Sequence, residues 1–230
     1  MRILIIFLAV FSFLNSAPVQ AGEQVRQIVV DGQGRASAVP DMATVRIGVR
    51  REAREASAAM AAASQAMVAV LAQIAEAGIA PEDVQTTRIG LDPRWQHSQS
   101  GAPPRVTGYV ASNDLSVKVR DLDRLGTLLD QVVSEGANTM NGLSFSVADS
   151  SQLEETARIA AVADATGKAK TLAKAAGVSL GDVISISEGS RGGGPAPMLE
   201  MAMADRSAVP VAAGQIDVVV TIHAAFSIGD

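Results

Sequence analysis

The sequence predicts an α+β fold, a mainly antiparallel sheet carrying two long alanine-rich helices and one shorter helix. Three patterns predict it. Segments such as 43–50 and 109–120 alternate apolar and polar residues, the period of a half-buried strand. Two segments, Glu55 to Ala77 and Ser151 to Ala176, are rich in alanine, and the first sets its larger apolar residues at helical spacing. Both helical segments close on a shared motif. Gly78-Ile79-Ala80-Pro81-Glu82-Asp83-Val84 and Gly177-Val178-Ser179-Leu180-Gly181-Asp182-Val183 each fit G-[IV]-[AS]-x-x-D-V and lead into a strand. This suggests an internal pseudo-repeat, with chance as the alternative for so short a match.

The N-terminus reads as a secretory leader. Met1-Arg2 is a minimal positive start, Ile3 to Leu14 is apolar apart from Ser12, and Val19-Gln20-Ala21 is a small-residue cleavage signal. A membrane span needs roughly 20 apolar residues, more than this run offers. Residues 1–21 are therefore expected to be removed after Ala21, leaving 22–230 as one domain with an irregular Gly/Pro/Met-rich part at about 189–214. No later stretch is expected to span a membrane. The expected compartment is the periplasm, with association to the outer membrane as an open alternative.

Along the mature chain, a strand from about Arg26 to Gly32 precedes the strand containing Val45, Ile47 and Val49. The helix Glu55–Ala77 follows, with Met60, Ala63, Met67, Val70, Leu71 and Ile74 on one face and Gly78 as its stop. Val84 to Leu91 is a strand ending at Asp92-Pro93, and Arg94 to Pro104 is a polar loop. A strand begins at Tyr109, and Asp121 is the expected N-cap of a helix through Leu125, Leu128, Leu129 and Val132. Leu143, Phe145 and Val147 mark another strand. The helix Ser151–Ala176 carries i,i+4 charge pairs, Glu154 with Arg158 and Asp164 with Lys168. The final strand, Ile216 to Ile228, is apolar on one face and is read as a candidate edge.

Arg26 to Ile228 resembles the SIMPL-domain family of YggE-like bacterial periplasmic proteins. The residues that carry the resemblance are, in order, Ile28-Val29-Val30-Asp31-Gly32, Pro40-Asp41, Val45 to Val49, the first alanine-rich helix with Gly78, and Asp83-Val84-Gln85-Thr86. Gly108-Tyr109, Leu115 to Arg120, Gly136, Ala176-Gly177, Gly214 and the closing strand complete the set. The resemblance implies an exported α+β protein of undefined activity, associated with the envelope and with oxidative-stress tolerance, some members self-assembling. It implies no catalytic residues.

The chain holds 19 basic and 24 acidic residues, a formal charge of −5. Without a basic cluster, nucleic acid is not an expected partner. There is no cysteine, so neither disulfides nor a thiol nucleophile is available. There is no G-x-S-x-G, S-x-x-K or phosphate-binding glycine motif, and Gly32, Gly34 and Gly192 to Gly194 read as turns and a flexible loop. His97 reads as a loop residue and His223 as a cross-strand surface residue. Asp31, Asp41, Asp92, Glu52 and Glu55 are candidates for acid and base only if the fold pairs them. The expectation is a non-enzymatic, self-associating envelope protein with no catalytic, cofactor or metal residues. The alternative is a small-ligand or Cu(I)-binding module using the thioethers of Met198 to Met203, or using that segment or the Trp95 loop as a lid. Packing is the plainer role for that Met/Ala segment.

Overall fold

The computed structural model describes residues 26–97, 103–189, 196–198 and 209–229. The expected leader and the Met-rich segment beyond Met198 lie outside them. The chain begins with β1 (Gln27–Ala38) and β2 (Met42–Ala53), then the long helix α1 (Ala56–Glu76). A 3-10 turn at Pro81–Asp83 leads into β3 (Val84–Gln96) and β4 (Arg105–Val119). A second such turn, Leu122–Arg124, precedes α2 (Leu125–Ser134), and β5 (Thr139–Ser146) follows. Next come α3 (Ser151–Ala176), β6 (Ser179–Glu188), the short β7 (Ala196–Met198) and β8 (Gln215–Gly229).

The strands form two antiparallel sheets rather than one. The first has the order β1-β8-β6, with β7 pairing to the start of β8, and the second has the order β3-β4-β2-β5. The two are similar in spatial order, β1-β8-β6 with α3 against β2-β4-β3 with α1, but not in connectivity, since α1 leads from β2 directly to β3 whereas α3 enters from β5 and leads into β6. Both helices end at a left-handed glycine, Gly78 at φ 82° and Gly177 at φ 70°, a conformation glycine reaches without a Cβ penalty.

Each sheet has its own core. Over the second sheet, α1 buries Ala59, Ala63, Met67, Val70 and Ile74. Met67, Val70 and Ile74 pack with Val45, Ile47 and Val49 of β2, Leu115 and Val117 of β4, and Leu125 and Leu129 of α2. Over the first sheet, α3 buries Ala157, Ala161, Ala165, Ala169 and Ala173. These alanines form an i,i+4 row that runs oblique to the helix axis.

Gly32 and Gly34 are not turns, as the sequence had suggested, but lie within β1. A Cβ on Gly32 would overlap the Ala161 carbonyl, and one on Gly34 the backbone of Ala157 and Ala161. The helix therefore rests almost backbone to backbone on the strand, which only small residues on both sides permit. That closeness also covers an edge. β1 borders the first sheet, and its Gln33 N–H donates to Asp164 (2.8 Å) while Lys168 Nζ donates to the Asp31 carbonyl (2.9 Å). Groups that would otherwise template another strand are thus taken up by α3.

Four further expectations are corrected. β8 is a central strand, not an edge. The strands around the expected loop continue further, so Trp95 lies in β3 opposite Val106 of β4. Asp121 makes no side-chain cap. Finally, α1 is long and apolar enough to cross a membrane by length and composition, against the expectation that no later stretch is. Here it serves as a core helix.

Candidate functional site

Among the described residues, the fold brings together only two of those singled out for chemistry. Asp31 on β1 and His223 on β8 are cross-strand partners, with Asp31 Oδ1 2.6 Å from His223 Nδ1. Both side chains are more than half exposed on the sheet face away from α3. The pair reads as a cross-strand contact on a solvated face.

The other acids are dispersed among separate partners. Asp41 Oδ1 accepts from the Ala148 N–H at 2.8 Å. Glu52 pairs with Arg94 at 2.9 Å, and Asp92 lies 4.0 Å from Arg88. Glu55 precedes α1 without a side-chain cap. His97 is exposed at the end of a described segment. No group of three or more His, Asp or Glu placed to hold a metal occurs among the described residues. Of Met198 to Met203, only the backbone of Met198 is described, paired in β7 with Gln215.

A well-enclosed concavity lies elsewhere, at the junction of α1, the end of β4 and the start of α2. It is a pocket of about 360 Å³ lined by the turn Ala77–Ala80, by Glu82 and Asp83, by Lys118–Asp121 and by one face of α2 with the residue before it. On that face Arg124, Thr127, Leu128 and Gln131 follow helical spacing. Val119 and Leu128 are buried and give the pocket an apolar floor.

Asp83 anchors the wall. It is the sole buried charged residue among those described, 7% exposed. Its carboxylate takes a two-pronged grip from Arg120, Nε to Oδ2 and Nη2 to Oδ1, both 2.9 Å. This fork-to-carboxylate geometry is the strong form of the charged hydrogen bond. The Arg120 bonds hold the Asp83 carboxyl below its ordinary range, outweighing the opposing effect of burial. Arg120 itself is 59% exposed, so its guanidinium is fixed along one edge and open along the other.

Sequence reasoning placed Asp83 in the helix-ending motif and Arg120 on the polar face of a strand, but missed their union. Thirty-seven residues separate them, and no spacing rule links a turn to the end of the second strand after it. The available signal was the turn itself, since Pro81 opens a 3-10 turn whose last residue, Asp83, faces inward.

With this geometry in place, similarity to other proteins sets the family. A profile named SIMPL, described as a protein of unknown function (DUF541), matches residues 28–226. The 26 kDa periplasmic immunogenic protein of Brucella melitensis is 38% identical over 218 residues, 91% of this chain and 87% of that protein. The uncharacterized protein YggE of Escherichia coli K12 is 30% identical over 215 residues, covering 93% of this chain and 86% of that protein. YggE of Edwardsiella ictaluri is 29% identical over 210 residues, 90% of this chain and 87% of that protein. Matched from its first strand to its last, the chain belongs to the SIMPL family.

Proposed function

We propose that this is a non-enzymatic periplasmic protein that works as a self-associating assembly, with a protective role under oxidative stress. The periplasmic placement is supported by the leader-like N-terminus and by the printed name of the Brucella relative. The stress role follows the family resemblance. The dispersal of the candidate acids Asp41, Glu52, Asp92 and Glu55 among unrelated partners supports a non-catalytic reading.

The observation that carries self-association is the outer side of α1. From Ala56 to Ala75 the helix has no charged residue. Its outward residues include Val68 at 67% exposure and Leu71 at 39%. A surface helix of a monomeric domain ordinarily turns charge to water. Leu71 also joins Ile74, Ile79, Pro81 and Val84 around an apolar groove that reaches the start of β3. β3 is a sheet edge bearing the exposed Ile89, Leu91 and Trp95. Contiguous exposed apolar surface of this kind marks interaction sites, and an open edge strand favours pairing with a further copy.

The test is the solution mass of residues 22–230 by light scattering across a concentration series. A defined multimer is expected. A monomer throughout the series overturns the assembly. For the protective role, a strain lacking the gene is expected to lose viability in peroxide and regain it on complementation, and equal survival of the two strains overturns that part.

A further inference from the structure

We infer that the pocket between the end of α1 and the start of α2 binds a small zwitterion, a molecule of amino-acid or dipeptide size carrying a carboxylate, an ammonium group and an apolar side chain. The inference does not depend on the assembly proposed above. It rests on how charge is distributed around one cavity.

Six ionisable side chains line the pocket, Lys118, Arg120 and Arg124 against Glu82, Asp83 and Asp121. Only Asp83 and Arg120 form a close pair. The side chains of Lys118, Arg124, Glu82 and Asp121 make no hydrogen bond or close ion pair within the described residues, although opposite charges border the same small space. Flexible side chains of opposite sign gain only modestly by closing on one another at a surface. Four that stay apart around a shaped cavity leave both signs available to a ligand.

Arg120 adds direction. Its Nε and Nη2 are committed to a buried carboxylate, so its Nη1 is presented without cost in side-chain order. A guanidinium held this way suits a second carboxylate, which it recognises by planar geometry as well as by charge. Glu82 and Asp121 supply partners for an ammonium, and the carbonyl end of α1, at Ala77 and Gly78, favours positive charge as well. An anion alone would leave both acids unmatched, and a cation alone would leave Lys118 and Arg124 unmatched. The floor of Val119, Leu128, Ile79 and Ala80 favours an apolar substituent, and about 360 Å³ lies at the small end of ligand cavities.

The experiment uses the mature chain, residues 22–230. Thermal shift and calorimetry are run with L-leucine, L-valine and the dipeptide Leu-Leu as probes. Acetate and inorganic phosphate serve as anion-only controls and n-butylamine as the cation-only control. A saturable rise in melting temperature is expected with at least one zwitterion and not with the single-charge controls. Arg124→Ala and Lys118→Ala should each weaken that binding by about tenfold or more. Both side chains are exposed, so the melting temperature without ligand should hold and a folding failure would be recognised. Three results overturn the proposal: no zwitterion binding up to about 10 mM, equal stabilisation by acetate or phosphate, or undiminished binding in both variants.

Discussion

Asp83 and Arg120 show how one pair serves both fold and pocket. The two partners are not equivalent, because Asp83 is buried and Arg120 is mostly in water. Removing the arginine leaves a buried carboxylate without its donors, whereas removing the carboxylate frees an arginine to be hydrated. Arg120→Ala is therefore expected to destabilise more than Asp83→Ala, with costs in the range of about 1–3 kcal/mol. For a domain of this size each kcal/mol lowers the melting temperature by about 2–4 °C. Denaturant titration of both single variants and the double variant checks the order. Equal costs for the two would remove the asymmetry on which the anchoring role rests. Two glycines give a second residue-scale contrast. Gly34→Ala places a Cβ into the backbone of α3 and should cost about 1–3 kcal/mol as the helix is pushed away. Gly167→Ala lies within α3 with open space around it and should stabilise by about 0.5–1 kcal/mol. A neutral Gly34→Ala would mean that α3 is not held as close as described.

The elements show what the sequence made legible and what it did not. The bounds of α3 match the reading, because its i,i+4 charge pairs and its terminal Gly177 are local signals. β1 was cut short at Gly32 because glycine by itself says turn, and the reason for it is a helix that begins more than a hundred residues later. β3 was cut short for a similar cause. Pro93 usually breaks a strand, yet it is tolerated here because β3 is an edge and no outer neighbour needs its N–H. The pocket was hidden for the same reason as β1, since its walls come from three separated elements. The proposed assembly has a compositional trace in α1, its lack of charge from Ala56 to Ala75. At this scale the assembly makes its own prediction. Val68→Glu and Leu71→Glu place charge on the outer side of α1 while leaving the five core-facing residues untouched. Each should lower the mass found by light scattering toward that of one chain, with the circular dichroism spectrum unchanged. A multimer that survives both substitutions moves the interface away from α1, with the edge of β3 as the next surface to alter.

At the scale of the whole molecule, stability without cysteine rests on two separate apolar cores and on carboxylates tied to the elements around them. Three of those carboxyls share one electrostatic sign. Asp83 is held below its ordinary range by Arg120, Asp149 by its bonds to Ser151, and Asp164 by Lys168 and the Gln33 N–H. Each therefore binds a proton less readily in the folded chain than in the unfolded one. The linkage follows directly: their contribution is complete above the unfolded carboxyl value, about 3.9, and is lost as pH falls through the lower folded values. Asp164 accepts from the Gln33 N–H of the β1 edge and also holds Lys168, whose Nζ donates to the Asp31 carbonyl, so its protonation should loosen the first sheet rather than the second. Denaturant midpoints should hold steady between about pH 5 and 8 and fall on the acid side. Asp164→Asn should reduce that acid slope, and hydrogen exchange at low pH should show β1 and α3 opening before β2 and β4. Should the variant keep the full slope, or should β2 and β4 open first, the Asp164 bridge is not what holds α3 to the edge of the first sheet.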